Sequence, residues 1–191
     1  LSQVTVENIK KSVNMLIDKE FVIEKRSLIK VDIGTKNNTK SFHCLNDVVI
    51  DHGSSGRVLK SNVSVGDKFI NIFESDGLIL STATGSTAYS LSAGGPIIHP
   101  SLKTISIVPI CPLSLSARPI IVSDKEVVSV CFDDKYDGIF CTIDGQIRFK
   151  LSSDSNINVM KSENIVNMLK FKDIDYYKTL RTKMGWLGKL R

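Results

Sequence analysis

The chain has 191 residues, 42% of them hydrophobic and 24% charged, with a formal net charge of +5. That size and balance suit one good-sized globular domain, which buries roughly 70% of its unfolded surface, and exclude fibrous or disordered architectures. No apolar run approaches the roughly 20 residues of a membrane-spanning helix. The charge is not spread as a nucleic-acid face requires: residues 172–191 hold six basic side chains against Asp173 and Asp175, a net of +4, leaving +1 for the rest.

In chain order, Val6, Ile9, Val13, Leu16 and Ile17 form one stripe at helical spacing behind Thr5 as a cap, which predicts a helix. The texture then changes to runs rich in Val, Ile and Phe, predicting strands at 21–32, 41–51, 57–65, 68–74 and 78–81. Residues 82–96 are dense in small side chains, with a helix-like stretch at 86–93. Strands are expected again at 104–110, 118–122, 127–132, 139–143 and 146–151, and a weak helical pattern at 176–186 closes the chain. Asp76-Gly77 and Asp144-Gly145 read as hairpin turns. The fold class is mainly β: a two-sheet, sandwich-like domain with a few short helices.

Cys44, Cys111, Cys131 and Cys141 are far apart among apolar neighbours, and with no export signal at the start they read as reduced, mostly buried thiols. Neither they nor His43, His52 and His99 have zinc-ligand spacing. Asp133 to Gly138 resembles a calcium loop, but Lys135 occupies a ligand position between two strands, so a solvated hairpin tip is expected.

Two windows carry chemistry. Thr82 to Gly95 places hydroxyls and backbone N–H groups at a strand-to-helix junction, a geometry that suits phosphates or ribose hydroxyls, with Tyr89 offering an aromatic face. It lacks both the dinucleotide-binding glycine fingerprint and the Gly-Lys-Ser/Thr of a P-loop. The same small residues would also suit a helix packed tightly on a sheet. Asn46-Asp47, at the head of Val48-Val49-Ile50, pairs an amide with a carboxylate and could bridge two ribose hydroxyls. It could equally be a turn at a strand edge.

Taken together, the windows resemble the NAD kinase family. The resemblance rests on Leu45-Asn46-Asp47-Val48-Val49, on Asp76-Gly-Leu-Ile-Leu-Ser-Thr82, and on Thr84-Gly-Ser-Thr-Ala-Tyr-Ser-Leu-Ser-Ala-Gly-Gly-Pro96. It continues through His99-Pro100, Pro109-Ile-Cys-Pro112, Leu115-Ser116, Arg118-Pro119 and Asp144-Gly-Gln146. It implies transfer of a phosphoryl group from ATP, with a divalent metal such as magnesium, to the 2′-hydroxyl of the adenosine ribose of NAD, giving NADP. It also implies a cytoplasmic homo-oligomer, a dimer or tetramer, with no nucleic acid or membrane as partner.

The likeness is to the family's C-terminal β domain. Residues 1–19 are then a helix connecting from an N-terminal α/β domain, 20–172 the NAD-binding domain, and 173–191 a basic segment packing back on the fold. Carried over position by position, the resemblance assigns the dinucleotide to Asn46, Asp47, Arg57, Asp76, Thr84, Thr87, Ala88, Tyr89, Ser90, Leu91, Ser92 and Gln146. Aspartate at 47 stands where the family has a longer glutamate. Glu74 stands where many relatives have a basic residue, which leaves the choice between oxidised and reduced NAD open.

The family's catalytic Asp belongs to a Gly-Gly-Asp-Gly motif that this sequence does not contain; Gly94-Gly95 runs into Pro96. The chain alone is therefore expected to bind the dinucleotide weakly and not to phosphorylate it. Two alternatives stand beside this reading. One is a non-catalytic dinucleotide-binding or assembly module. The other is the related lipid kinases, whose headgroups offer nothing for Asn46-Asp47 and Thr84 to Tyr89 to pair with.

Overall fold

The structure is a computed structural model, and it describes residues 4, 6–35, 38–54, 56–132, 138–152, 154–172 and 174–186. Twelve strands are described: β1 (Phe21–Thr35), β2 (Asn38–Cys44), β3 (Asp47–Asp51), β4 (Leu59–Val65), β5 (Lys68–Ser75), β6 (Gly77–Thr82), β7 (Thr104–Ile110), β8 (Ile120–Ser123), β9 (Val128–Phe132), β10 (Phe140–Ile143), β11 (Ile147–Lys150) and β12 (Asn156–Phe171). Three helices accompany them: α1 (Ile9–Ile17), α2 (Tyr89–Ser92) and α3 (Tyr176–Lys183). The strands form two six-stranded antiparallel sheets, ordered β2-β1-β12-β9-β4-β5 and β11-β10-β3-β6-β7-β8. The expected mainly β, two-sheet class is the class observed. Among the described residues no helix is long and apolar enough to cross a membrane.

The chain divides into two compact units, residues 26–166 and residues 1–25 with 167–191. In the larger, the inward positions of each strand alternate with outward ones: Leu59 and Val63 on β4, Val128 and Val130 on β9, and Cys141 and Ile143 on β10 are all buried. With Val48, Ile50, Leu78, Leu80, Ile105 and Ile107 from the second sheet they make one continuous core. β3, β6 and β7 are buried along nearly their whole length, because a second small cluster of Val49, Ile79 and Val108 lies on the outer face of the second sheet under Ala93. Their unbroken apolar runs are the sequence signature of strands covered on both sides.

In the smaller unit α1 buries Ser12 and Met15, whereas Ile9, Val13, Leu16 and Ile17 of the predicted stripe are exposed. Asn8 stands at its N-cap; Thr5 lies outside the described residues. α3 is capped by Asp175, whose carboxylate accepts from the Tyr177 N–H at 2.8 Å, and it ends on Arg181 and Lys183, which suit the helix dipole.

Four expectations are corrected, and one strand was not expected at all. The single strand predicted at 41–51 is two, β2 and β3, in different sheets. Asp76-Gly77 is not a hairpin but the crossover from β5 in the first sheet to β6 in the second. Gly77 is needed there, since a Cβ would fall 2.5 Å from the Ile50 carbonyl oxygen. The helix-like 86–93 stretch is a 3-10 turn, Gly85–Thr87, and the single turn α2, separated by Ala88 at φ −96°, ψ −135°. β12, 16 residues long, occupies a segment for which the sequence pattern predicts nothing. Of the four thiols, all free of disulfides, Cys44 and Cys141 are buried but Cys111 and Cys131 are exposed. The hairpin tip expected at 133–138 lies, but for Gly138, outside the described residues.

Candidate functional site

The outer face of the second sheet carries the site, and strand pairing sets its floor. Arg148 on β11 pairs with Thr142 on β10, which pairs with Val49 on β3, which pairs with Ile79 on β6. α2 covers the Ile79 end of this row through Ala93. The other end is open, and above it lies a cleft of about 560 Å³ bounded by Asp47, Asp51, His52, Asp76, Tyr89 and Arg148.

The turn that starts β3 is built by a residue about a hundred positions away. The Asp144 carboxylate accepts from three successive backbone N–H groups, those of Leu45 (2.8 Å), Asn46 (2.7 Å) and Asp47 (3.1 Å). This is why β2 and β3 are separate strands: the N–H groups between them point into Asp144 rather than into a ladder. Asp144 sits at φ 48° and Gly145 at φ 66°, the left-handed pair of a tight hairpin, so the predicted turn between β10 and β11 is present and its side chain is put to use.

The 84–96 segment is clamped against the same turn. The Thr82 hydroxyl donates to the Leu45 carbonyl at 2.6 Å and accepts from the Gly85 N–H at 3.0 Å. The Thr82 N–H donates to the Asn46 carbonyl at 2.9 Å. A Cβ on Gly85 would overlap that same carbonyl group, so only glycine allows the approach. Ser86, fully buried, accepts from the Ile98 N–H at 3.0 Å and donates to the Ala83 carbonyl at 2.8 Å. At the Ala88 break the backbone turns and brings Tyr89 to the rim of the cleft that Asp47 also lines.

Asp47 is only 4% exposed. Burial pushes its carboxyl up to about 6 and the nearby Asp144 charge adds to this, while the Tyr89 N–H opposes both. It therefore changes charge just below neutral pH. Burial also pushes up the thiols of Cys44, with Asp144 adding to the effect, and Cys141, the latter to about 12, so both stay neutral and unreactive.

Of the residues singled out from the sequence, Asp47, Asp76 and Tyr89 line the cleft. Asn46, half-buried, contributes its backbone to the turn beneath. Thr84 borders a separate cavity of about 10 Å³ instead. The Thr87 hydroxyl turns back to the Thr84 carbonyl at 3.3 Å, and Ser90 is fully buried against Gly95. Ala88 supplies the break, and neither half-buried Leu91 nor exposed Ser92 lines the cleft. Arg57 and Gln146 are exposed and do not line it either, although Gly145 beside Gln146 does. Glu74 is paired with Lys60 at 3.0 Å, which offsets its charge.

Cleft residues that the sequence reading did not assign to a site include Val49, Asp51, His52, Thr142 and Arg148. Strand alternation from Asp47 reaches Val49 and Asp51 directly. Thr142 and Arg148 arrive only through strand pairing. His52 Nε2 lies 3.8 Å from Asp76 Oδ1, and the Arg148 guanidinium donates to Asp51 at 2.8 Å. Three carboxylates around an aromatic ring offer acceptors for amine and hydroxyl donors. Among the described residues no group of three or more carboxylates, His or Cys converges to hold a metal ion.

Residues 45–171 match the ATP-NAD kinase C-terminal domain. The chain belongs to the ATP-NAD kinase family. It is 40% identical over 186 residues to an NAD kinase of Clostridium botulinum (strain Loch Maree / Type A3), a match covering 97% of this chain and 66% of that protein. It is 36% identical over 188 residues to an NAD kinase of Geobacter sp. (strain M21), covering 97% and 65%. Among solved structures it resembles the crystal structure of yeast NADH kinase complexed with NADH, at 25% identity and a TM-score of 0.89, over all of this chain and 58% of that one. An Archaeoglobus fulgidus NAD kinase solved in complex with ATP, 23% identical, shares the fold with a TM-score of 0.77 over 98% of this chain and 70% of that one.

Proposed function

We propose that this chain is the dinucleotide-binding and oligomerising part of an NAD kinase, which transfers a phosphoryl group from ATP to the 2′-hydroxyl of the adenosine ribose of NAD. The observation that carries this is that Asp47 and Tyr89 line one open cleft. It joins the two windows that the family resemblance assigns to the dinucleotide, windows about forty residues apart in sequence. The yeast relative was solved with NADH, which supports a nicotinamide dinucleotide as the ligand.

Within this reading Asp47 and Asp76 accept from ribose hydroxyls or the adenine amine, and Tyr89 gives its ring to a flat base. The Asp144-braced turn fixes Asn46 beside them. Arg57 and Gln146, exposed outside the cleft, would contact only the periphery of the ligand. In the transfer itself the ribose oxygen forms a bond to the γ-phosphorus of ATP, ADP leaves, and the hydroxyl proton passes to a base. That base is the Asp of the Gly-Gly-Asp-Gly motif, which these 191 residues do not contain. The described residues do not fit a metal site, so no step is routed through the divalent ion that ATP brings. Residues 1–19 are read as the connecting helix, 20–172 as the binding domain and 173–191 as the basic closing segment of a cytoplasmic dimer or tetramer.

The test is calorimetric titration of NAD into this chain and into an Asn46→Ala, Tyr89→Ala double variant. Binding that the variant loses is the expected result. Failure of the unaltered chain to bind, or equal binding by the variant, refutes the assignment. Incubation with NAD, ATP and magnesium is expected to yield no NADP.

A further inference from the structure

We propose that Arg148 holds the pyrophosphate of the dinucleotide in this cleft, an inference that rests on the dinucleotide reading above. The ligand has an anionic middle, yet the cleft residues identified from the sequence, Asp47, Asp76 and Tyr89, are acceptors or aromatic. Asp51 adds a further carboxylate. Among the described residues Arg148 brings the one guanidinium or ammonium group lining the cleft. Without it no guanidinium or ammonium group among the described residues would offset the carboxylates facing a phosphate on this floor.

Its placement suits the role. Arg148 pairs with Thr142 and Thr142 with Val49, so it lies two strand spacings, about 10 Å, across the floor from the strand that carries Asp47. A ligand anchored by a ribose or base at Asp47 and Tyr89 reaches Arg148 with its middle. The side chain is also held in advance. Asp51 Oδ1 accepts from Arg148 at 2.8 Å and is itself fixed by the Gly53 N–H at 2.7 Å, while the guanidinium lies over the Phe140 ring, 4.7 Å from its centroid. One N–H is thus used, and the remaining donors of the planar fork have no partner among the described residues. Beside it in the floor, the buried Thr142 hydroxyl has no hydrogen-bond partner. The Arg148 side chain is 49% exposed, so a ligand can reach it.

The experiment titrates NAD, adenosine 5′-monophosphate and adenosine into the full chain and into Arg148→Gln, Arg148→Lys and Asp51→Asn variants. Loss of a charge-assisted hydrogen bond predicts NAD and the monophosphate binding about 10–100-fold more weakly to Arg148→Gln, with adenosine unchanged. Lysine recovers part of the loss, and Asp51→Asn, which keeps the cation but loosens its clamp, has a smaller effect on the same two ligands. Added salt weakens NAD binding less in Arg148→Gln than in the unaltered chain. Undiminished NAD binding by Arg148→Gln, or equal losses for NAD and adenosine, overturns the proposal. If the unaltered chain binds adenosine but NAD no more tightly, the phosphate contact is refuted while the nucleoside cleft stands. If it binds none of the three, both readings fall.

Discussion

Replacing Asp47 with asparagine separates what the fold prefers from what the site requires. The Asp47 carboxyl is raised to about 6 from an ordinary 3.8, because a buried charge beside the Asp144 carboxylate is poorly solvated. The folded chain therefore holds this proton to higher pH than the unfolded chain does. Between about pH 4 and 6 the unfolded state binds fewer protons, so stability falls as pH rises through that window, and the full penalty stands at neutral pH. At 1.36 kcal/mol per unit, the shift sets the penalty at about 3 kcal/mol as an upper bound. Asparagine keeps the size of the side chain and removes the charge, but it brings a buried N–H₂ that costs about 1 kcal/mol or more if unpaired. The expected result is a variant more stable by about 1–2 kcal/mol at pH 7, with the gain gone by pH 4. Urea unfolding at steps from pH 4 to 8 measures it. A stability difference that does not change with pH, or destabilisation throughout, refutes the reasoning. The same variant should lose NAD affinity, since a carboxylate kept at a cost in stability is kept for its ligand.

Asp144→Asn leaves fewer acceptor lone pairs for three N–H groups and relieves the repulsion on Asp47. It should lower stability by about 1–3 kcal/mol at neutral pH while moving the Asp47 titration, followed by carboxyl NMR shifts, toward the ordinary range. Gly85→Ala drives a Cβ into the Asn46 carbonyl. Chemical denaturation should show a loss of about 1–3 kcal/mol, and NAD titration at least a tenfold loss of affinity; an unchanged protein would mean the turn is not held as described. A disulfide-exchange thiol reagent should modify two of the four cysteines, Cys111 and Cys131, without denaturant, and Cys44 and Cys141 only on unfolding. Mass mapping of the adducts identifies which.

Most strand positions were legible because their burial is periodic. Residues 59–65 and 128–132 alternate, and 48–50, 78–80 and 105–108 are apolar nearly throughout, as strands covered on both faces must be. β12 escaped because its alternation, carried by Ile157 and Val159, stops after a few residues and gives way to exposed Glu163, Asn164 and Ile165. A strand half in solvent leaves no pattern to read. The exposed thiols follow from the same limit. Cys111 lies in the loop past β7, and Cys131 points outward from β9, whose Val130 and Phe132 point in.

The sequence by itself determined the fold class, the absence of a P-loop and of Gly-Gly-Asp-Gly, and the two windows that hold Asp47 and Tyr89. Those are properties of neighbouring residues, and short-range chemistry is written along the chain. Only the tertiary structure decided that Asp144 braces the Asn46-Asp47 turn across about a hundred residues, that Tyr89 meets Asp47, and that Arg148 with its Asp51 clamp faces the same cleft. It likewise moved Thr84, Ser90 and Arg57 away from that cleft's lining. Strand order within each sheet sets these meetings. That order is chosen by how the two inner faces bury one shared core, which no local pattern along the chain encodes.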